Sequence, residues 1–276
     1  MQNPTHFCIL HSYFCIISKE HPMNILQEIA TRTKQRIEQK KQALPLAEIK
    51  TQAEKLPKPE IFPFEKALKS SDIAFICEVK KASPSKGIIA ENFPYLEIAR
   101  NYEAAGAAAI SVLTEPFYFK GSDDYLREIA DVVSVPLLRK DFTIDGYMIY
   151  EAKLLGASAV LLICAILDKS ELVEYMKIAE SLGLSALVEV HDEREVEMAV
   201  SAGARIIGVN NRNLKTFEVD INLSEKLKRL VPPDILFVSE SGIKTRDDVA
   251  SLRKIGADAV LIGETLMRGA DLTSLK

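Results

Sequence analysis

The sequence predicts an α/β fold, a (βα)8 TIM barrel with an N-terminal helical extension. From about residue 70, eight apolar runs rich in β-branched residues alternate with segments of helical periodicity, and this alternation is typical of a parallel sheet that closes into a barrel. Four segments, AAGAAAI, LLGASAVL, SAGARIIG and KIGADAVLI, share a pattern in which glycine ends a helix before a buried strand. The length of 276 residues is ordinary for one such barrel.

The predicted elements follow one another in strict alternation. The predicted strands are Ile73–Val79, Ala108–Leu113, Val135–Arg139, Ala159–Ile163, Ser185–Val190, Arg205–Val209, Ile235–Val238 and Ala259–Ile262. The predicted helices between them include Tyr95–Ala105, Asp123–Val132, Gly146–Leu155, Lys169–Leu182, Glu193–Ser201 and Arg246–Ile255. Gly-rich linkers are absent, so we expect residues 70–276 to form the catalytic barrel within a single-domain chain.

Two segments precede the first strand. Residues 23–69 are charged, have helical periodicity and are interrupted by prolines, so we expect helices packed on the barrel. Residues 1–22 contain the apolar run FCILHSYFCII, which is too short to span a bilayer and has no signal-peptide flanks. We interpret residues 1–22 as a non-native or disordered tail and Met23 as the natural start. The alternative is an extra segment that packs on the barrel.

Composition excludes several function classes. The net charge of -4 predicts neither nucleic-acid binding nor a polybasic membrane anchor. Three of the four histidines lie in the first 21 residues, and the four cysteines show no metal-ligand spacing. We therefore expect neither a histidine metal cluster nor a Ser-His-Asp triad, and acid–base chemistry carried by Lys, Glu or Asp.

Charged residues collect where the predicted strands end, which is where the active site of this fold lies. Glu78 and Lys80 are two residues apart in the first strand region, so they point to the same side. Further strand ends carry Lys140, Glu189, Asn210, Arg212 and Glu240. Any one pair of these charges could be a structural ion pair, but their convergence favours a site for an anionic substrate that undergoes proton transfer. We expect closely spaced, partly buried lysines there to have lowered pKa values.

A phosphate site is predicted by the loops after strands seven and eight. SESGI and IGETLMRG place glycines where backbone N–H groups can approach an anion, beside the start of a short helix. The residues expected to hold the phosphate are Ser83, Ser241, Gly242, Gly263 and Glu264. The apolar residues Phe142, Leu161, Leu214 and Ile110 are candidates for a wall around the substrate, with simple core packing as the alternative for each.

The motifs CEVKKASPSKG, LLRKDF, LVEVH, IGVNNRNL, VSESGI and LIGETLM occur from about Met23 to Arg268 in an order and spacing that resemble the indole-3-glycerol phosphate synthase family. The resemblance implies a carboxy-lyase of tryptophan biosynthesis. It would convert 1-(2-carboxyphenylamino)-1-deoxyribulose 5-phosphate to indole-3-glycerol phosphate with loss of carbon dioxide and water, without a metal or an organic cofactor. It also implies a cytoplasmic enzyme, expected to be monomeric, with association with other enzymes of the pathway left open.

The resemblance also implies a role for each site residue. Lys140 would be the general acid at the substrate carbonyl, and Glu189 would assist the dehydration. Lys80 would hold the substrate carboxylate and take part in the dehydration. Glu78 and Glu240 would orient the lysines, and Asn210 and Arg212 would fix the substrate near its carboxylate.

The alternatives are another phosphate-binding barrel enzyme, such as phosphoribosylanthranilate isomerase, or a barrel that has lost catalysis. The isomerase reaction usually requires a catalytic Cys at the first strand end, whereas Cys77 has the parity of the outer face. Retention of Lys140 and Glu189 disfavours a non-catalytic scaffold.

Overall fold

The barrel predicted from the sequence is present and closed. The computed structural model describes residues 25–69, 72–213 and 216–276, so the tail at residues 1–22 and Met23 lie outside the described residues. Eight parallel strands form one closed sheet in which each strand pairs with its neighbours in chain order and the last pairs with the first. The strands are β1 (Ala74–Val79), β2 (Ala109–Leu113), β3 (Leu137–Lys140), β4 (Ala159–Ile163), β5 (Ser185–Val190), β6 (Ile206–Asn210), β7 (Leu236–Glu240) and β8 (Ala259–Ile262).

Three strands extend to polar residues at their carboxyl ends, beyond the predicted boundaries. Lys140 pairs in register with Leu113, and Glu240 pairs with Asn210. The predicted boundaries stop at Arg139, Val209 and Val238, because the polar residues beyond them give no hydrophobic signal. The parallel ladder, however, continues to the barrel mouth. The loop after β1 also forms a short antiparallel hairpin between Ala82–Ser83 and Gly87–Ile88.

Helices connect the strands on the outside of the barrel, and many begin with a side-chain cap. Ser122, Asp145, Asp168, Asp192 and Thr245 each accept a hydrogen bond from a backbone N–H of the first helical turn. None of the helices in the described ranges is long and apolar enough to cross a membrane. The helices are α1 (Ile25–Ala43), α2 (Leu46–Glu54), α3 (Pro63–Leu68), α4 (Tyr95–Ala104), α5 (Asp123–Ala130), α6 (Gly146–Leu154), α7 (Lys169–Ser181), α8 (Glu193–Ala202), α9 (Asn222–Lys228), α10 (Arg246–Lys254), α11 (Glu264–Met267) and α12 (Leu272–Leu275).

Helices α1 and α3 pack against opposite ends of the barrel, and α2 packs against α6 on its outside. Phe64 and Leu68 of α3 belong to the core inside the barrel, and Glu65 accepts hydrogen bonds from Ser185 and Arg205 at the amino ends of β5 and β6. Leu26 and Ile29 of α1 join the same core from the opposite, carboxyl end. A second core lies between the strands and the outer helices.

Buried ion pairs fix α1 to the strand end that carries Lys140. Arg36 donates to both carboxylate oxygens of Asp141, at 2.9 and 2.8 Å, and the Asp141 side chain is completely buried. Asp141 also accepts hydrogen bonds from the Thr114 hydroxyl and from the backbone N–H of Phe142. Asp141 directly follows Lys140 in the chain, so this pair holds the backbone at the end of β3.

We predict that Arg36→Ala lowers the free energy of unfolding by about 3 kcal/mol, because it leaves the buried Asp141 carboxylate without its main counter-charge. Urea unfolding measures the change. The matched control is Arg229→Ala, which breaks an exposed pair with Glu225 and should change stability by less than about 0.5 kcal/mol. Equal losses in the two variants would show that Asp141 does not depend on Arg36.

Candidate active site

The barrel encloses a cavity of about 560 Å³ at the carboxyl ends of its strands. All eight strands contribute side chains to it, and α1 closes one side with Ile25, Leu26 and Ile29. The contributing strand residues are Glu78, Leu113, Lys140, Leu161, Ile163, Glu189, Asn210, Glu240, Leu261 and Ile262.

Most of the residues proposed from the sequence meet in this cavity. Those that line it are Glu78, Lys80, Ser83, Lys140, Phe142, Leu161, Glu189, Asn210, Arg212, Glu240, Ser241, Gly242, Gly263 and Glu264. The structure does not bring Ile110 to the cavity. Ile110 is fully buried in the outer core, between β2 and the helices, because Ala109, Ser111 and Leu113 are the residues of β2 on the inner face. Leu214 lies outside the described residues.

Lys140 occupies the centre of a group of buried carboxylates. Its Nζ lies 3.2 Å from Oε2 of Glu189 and 3.3 Å from Oε2 of Glu240. The Lys140 side chain is 13% exposed, and the two carboxylate side chains are almost completely buried. A second pair, Lys80 and Glu78, stands beside it at 2.5 Å. Two ammonium groups and three carboxylates therefore share one face of the cavity.

The expectation of a lowered lysine pKa is wrong for Lys140. Burial alone would lower its pKa, but the carboxylates of Glu240, Glu189 and Glu78 outweigh burial and raise it well above the usual value. The expectation considered only the neighbouring lysine and the loss of solvent. With the three acids assembled around it, Lys140 is an ammonium group at neutral pH.

The two carboxylates that contact Lys140 differ in their surroundings. Burial would raise the pKa of Glu189, but Lys140 and His191 lower it, and Asn210 donates a hydrogen bond to Oε1 at 3.2 Å. Burial also raises the pKa of Glu240, and Lys140 offsets only part of this effect. Because Glu189 and Glu78 add to it, the pKa of Glu240 is raised to about 7. Within the described residues, Oε1 of Glu240 has no hydrogen-bond partner. Glu189 is therefore ionised at neutral pH, while Glu240 exchanges a proton there.

One end of the cavity, formed by the loops after β1, β6, β7 and β8, is rich in cations and in backbone that can approach an anion. Ser241 and Gly242 both have positive φ, 67° and 83°, in the turn after β7. Gly263 is needed for space, because a Cβ there would lie 2.3 Å from Oε1 of Glu78 and 2.8 Å from Nζ of Lys80. The cationic side chains that line this end are Lys86, Arg212, Lys244 and Arg268.

Glu264 is the carboxylate among these cations. Burial would raise its pKa, but hydrogen bonding from Arg268 and the charges of Lys86 and Arg212 lower it. Its oxygens lie 3.0 Å from Nε of Arg268, 3.7 Å from Arg212 and 3.9 Å from Lys86. Three cations share one carboxylate, so this end of the cavity keeps an excess of positive charge suited to a phosphate.

An apolar wall of the cavity lies beside α1. Phe142 and Leu161 belong to it, as expected, together with Phe119, whose ring centre is 6.1 Å from that of Phe142. Phe119 is placed by Glu115, a buried carboxylate that accepts hydrogen bonds from three consecutive backbone N–H groups, those of residues 117–119. Glu115 thus shapes the loop after β2, and both oxygens of its carboxylate accept hydrogen bonds from that loop.

Several lining residues were missed in the sequence. Lys86 and Arg268 were visible in the motifs SPSKG and LMRG, where a basic residue lies beside the predicted phosphate loops. The contributions of α1 and Phe119 left no local signal, because they depend on how distant segments pack.

His191 follows Glu189 by two residues, and its imidazole Nε2 lies 3.2 Å from Oε1 of that carboxylate.

Comparison with known proteins agrees with this geometry. The family model for indole-3-glycerol phosphate synthase matches residues 26–275. The chain belongs to the indole-3-glycerol phosphate synthase family. A curated indole-3-glycerol phosphate synthase from Ruminiclostridium cellulolyticum is 62% identical over 256 residues, which cover 91% of this chain and 98% of the relative. One from Endomicrobium trichonymphae is 54% identical and covers 90% and 96% of the two chains.

Solved structures outside the indole-3-glycerol phosphate synthase family share the fold. An N-acetylmannosamine-6-phosphate 2-epimerase from Clostridium perfringens aligns with a TM-score of 0.57 at 16% identity, over 73% of this chain and 90% of that one. A tryptophan synthase complex from Pyrococcus furiosus aligns with a TM-score of 0.53 at 15% identity, over 71% and 89%. At such identities these likenesses concern the barrel alone.

We predict that Glu240→Gln gains stability over the wild type as pH rises. The folded-state pKa of Glu240, about 7, lies above the ordinary value of 4.5. Its contribution to stability is therefore full below pH 4.5 and is lost as pH rises through about 7. Glutamine has no such dependence, so the difference in the free energy of unfolding should grow by about 3 kcal/mol between pH 4.5 and 8.

Denaturant unfolding across this pH range measures the Glu240 effect. Glu225→Gln, which alters an exposed carboxylate, is the matched control and should show a constant difference from the wild type. If the curves for Glu240→Gln and the wild type run parallel, Glu240 does not carry a raised pKa.

Proposed function

We propose that this chain closes the indole ring of indole-3-glycerol phosphate, using Lys140 as general acid. The observation that carries the proposal is the arrangement of one cavity, in which a cationic phosphate end, an apolar wall and a buried ammonium flanked by carboxylates stand side by side. The substrate, 1-(2-carboxyphenylamino)-1-deoxyribulose 5-phosphate, has a phosphate, an aromatic ring and a reactive carbonyl to match these three features.

Binding holds the substrate in a folded conformation. The phosphate lies at Ser83, Gly242 and Gly263, with the Ser241 turn and the Glu264 backbone N–H beside it. The anilino ring lies against Phe142 and Leu161. Fixing both ends brings the ring carbon that bears the carboxylate onto the carbonyl carbon, and this positioning replaces an unfavourable ordering step in solution.

Ring closure places negative charge on the carbonyl oxygen as the new carbon–carbon bond forms. Lys140 donates a proton to that oxygen, and its raised pKa keeps it an ammonium group until then. The fixed positive charge also stabilises the developing alkoxide in a site from which water is largely excluded. Loss of carbon dioxide from the ring carbon that formed the new bond then restores the aromatic ring.

Dehydration follows at the former carbonyl carbon. The hydroxyl group leaves as water after taking a proton, and the neighbouring carbon gives up a proton to complete the indole. Glu189, ionised and 3.2 Å from Lys140, is the acid–base group for this step. Lys80, paired with Glu78, binds the substrate carboxylate together with Asn210 and Arg212 and supplies a proton in the dehydration. Glu240 orients Lys140 from the other side.

The setting of the enzyme is proposed on the same basis. We propose that the enzyme is cytoplasmic and monomeric, and that residues 23–69 and the barrel form one domain. Helix α1 itself lines the cavity, and all the other lining residues come from the same chain. Association with other enzymes of the tryptophan pathway remains compatible with this arrangement. Cys77 faces the outer core rather than the cavity, which disfavours an isomerase that depends on a cysteine there.

The test is turnover by the purified protein of 1-(2-carboxyphenylamino)-1-deoxyribulose 5-phosphate, followed by the growth of indole fluorescence. We predict turnover with this substrate and none with phosphoribosylanthranilate. Activity of the folded protein on phosphoribosylanthranilate alone would overturn the proposal.

Lys140→Ala should lower kcat roughly 1,000-fold, because it removes both the proton donor and the fixed charge at the carbonyl oxygen. Binding of the phosphorylated product, measured by fluorescence titration, should change little. The control is Lys226→Ala, which removes an exposed lysine paired with Glu193 and should keep full turnover. Near-normal kcat in Lys140→Ala would refute the assignment.

A further inference from the structure

Lys140 stands almost equally far from two carboxylates, yet the pKa of Glu189 is lowered while that of Glu240 is raised to about 7. The distances of 3.2 Å to Glu189 and 3.3 Å to Glu240 do not distinguish the two acids. The other neighbours of the two carboxylates distinguish them. The free oxygen of Glu240 is buried without a hydrogen-bond partner among the described residues, whereas Oε1 of Glu189 faces Asn210 and His191.

His191 bridges two carboxylates with its two ring nitrogens. Nδ1 lies within hydrogen-bond distance of Oε2 of Glu195, at 3.0 Å, and Nε2 lies 3.2 Å from Oε1 of Glu189 as an ion-pair contact without hydrogen-bond geometry. Glu195 also accepts a hydrogen bond of 2.7 Å from the backbone N–H of His191, so it fixes both the ring and the chain. The imidazole is 17% exposed.

Two carboxylates beside the two ring nitrogens favour a doubly protonated ring. A neutral imidazole donates from one nitrogen only, and its second nitrogen would then face a carboxylate oxygen as one acceptor against another. Only the imidazolium satisfies both contacts. Burial would lower the pKa of His191, but its contacts with Glu189 and Glu195 raise it to about 10.

We infer that His191 is a positioning residue: a fixed cation behind Glu189 that keeps this carboxylate ionised, so that the exchangeable proton of the site resides on Glu240. The inference deepens the proposed function, on which its kinetic consequence rests. His191 thereby decides which of two similar carboxylates is the base and which one carries the proton, without itself touching the substrate.

The other charged groups near His191 do not replace it. Asp192 and Glu195 belong to the start of α8 and are acids, and beyond Glu189 lie Lys140 and Glu240. The thiol of Cys164 lies against the Glu195 backbone, and burial together with the neighbouring acids raises its pKa to about 12, so it stays neutral. Among these groups, only Lys140 and His191 bring positive charge to Glu189, and Lys140 is shared with Glu240.

The direct test uses the resting protein. Nitrogen-15 NMR of the imidazole groups distinguishes imidazolium from the neutral tautomers, and His191→Asn identifies the signal by removing it. We expect His191 to remain an imidazolium at pH 8, whereas an unperturbed histidine is neutral there. A neutral His191 ring at pH 8 would overturn the inference, and this outcome does not depend on whether the substrate has been identified correctly.

The pH profile of turnover tests the consequence. In His191→Asn the carboxylate pair loses a nearby positive charge and binds its proton more tightly. Titration of Glu240 should give the pH profile of kcat/KM an inflection near pH 7. In His191→Asn this inflection should move upward by about one unit, with kcat lowered and KM changed less than twofold. Glu195→Gln, which removes the carboxylate charge beside Nδ1, should move the inflection upward by a smaller amount.

Glu197→Gln is the matched control, since it removes an exposed acid from the same helix and should leave the profile in place. Thermal unfolding of each variant confirms that it is folded. An unshifted profile in folded His191→Asn, or a loss of rate equal at every pH, would assign His191 a packing role and refute the inference. If His191→Asn does not fold, Glu195→Gln and the NMR of the wild type decide.

Discussion

The site depends on the burial of one ammonium group among carboxylates. Lys140 can remain charged inside the barrel only because Glu189, Glu240 and Glu78 surround it, and those carboxylates can be buried together only because Lys140 and Lys80 lie between them. Removing any one partner leaves a desolvated charge. The acids and bases of the site therefore form one electrostatic unit rather than a set of independent groups, and the pKa of each is a property of the cluster.

The fold provides what this cluster requires. Parallel strands present their last side chains at one end of the barrel, so eight separate parts of the sequence meet within one cavity. Helix α1 closes the cavity and is tied through Arg36 to Asp141, the residue after Lys140. The same helix thus excludes water, which strengthens every charge interaction inside, and anchors the strand end that carries the ammonium. The raised pKa of Glu240 means that its ionised form is less favourable in the folded protein than in water.

The barrel and most of the site were predictable from the sequence, for a physical reason. Parallel strands are short apolar runs whose charged ends stand out, so Glu78, Lys80 and Glu189 could be assigned to the mouth. The same apolar character hid which way Ile110 points, because both faces of a barrel strand are buried and no alternation marks the inner one. Phe119 and the α1 residues could not be found, since only tertiary packing brings them to the cavity. The pKa of Lys140 was predicted with the wrong sign because it depends on three acids far apart in the chain.

The most direct test of this account is a crystal structure with a substrate analogue whose carbonyl is reduced to an alcohol, so that the ring cannot close. The account predicts the phosphate at the loops of Ser83, Gly242 and Gly263, the aromatic ring on Phe142 and Leu161, and the alcohol oxygen about 3 Å from Nζ of Lys140. An analogue bound with its phosphate in this place but its alcohol oxygen away from Lys140 would contradict the central claim, because the ammonium held by the three carboxylates would then not face the reacting carbon.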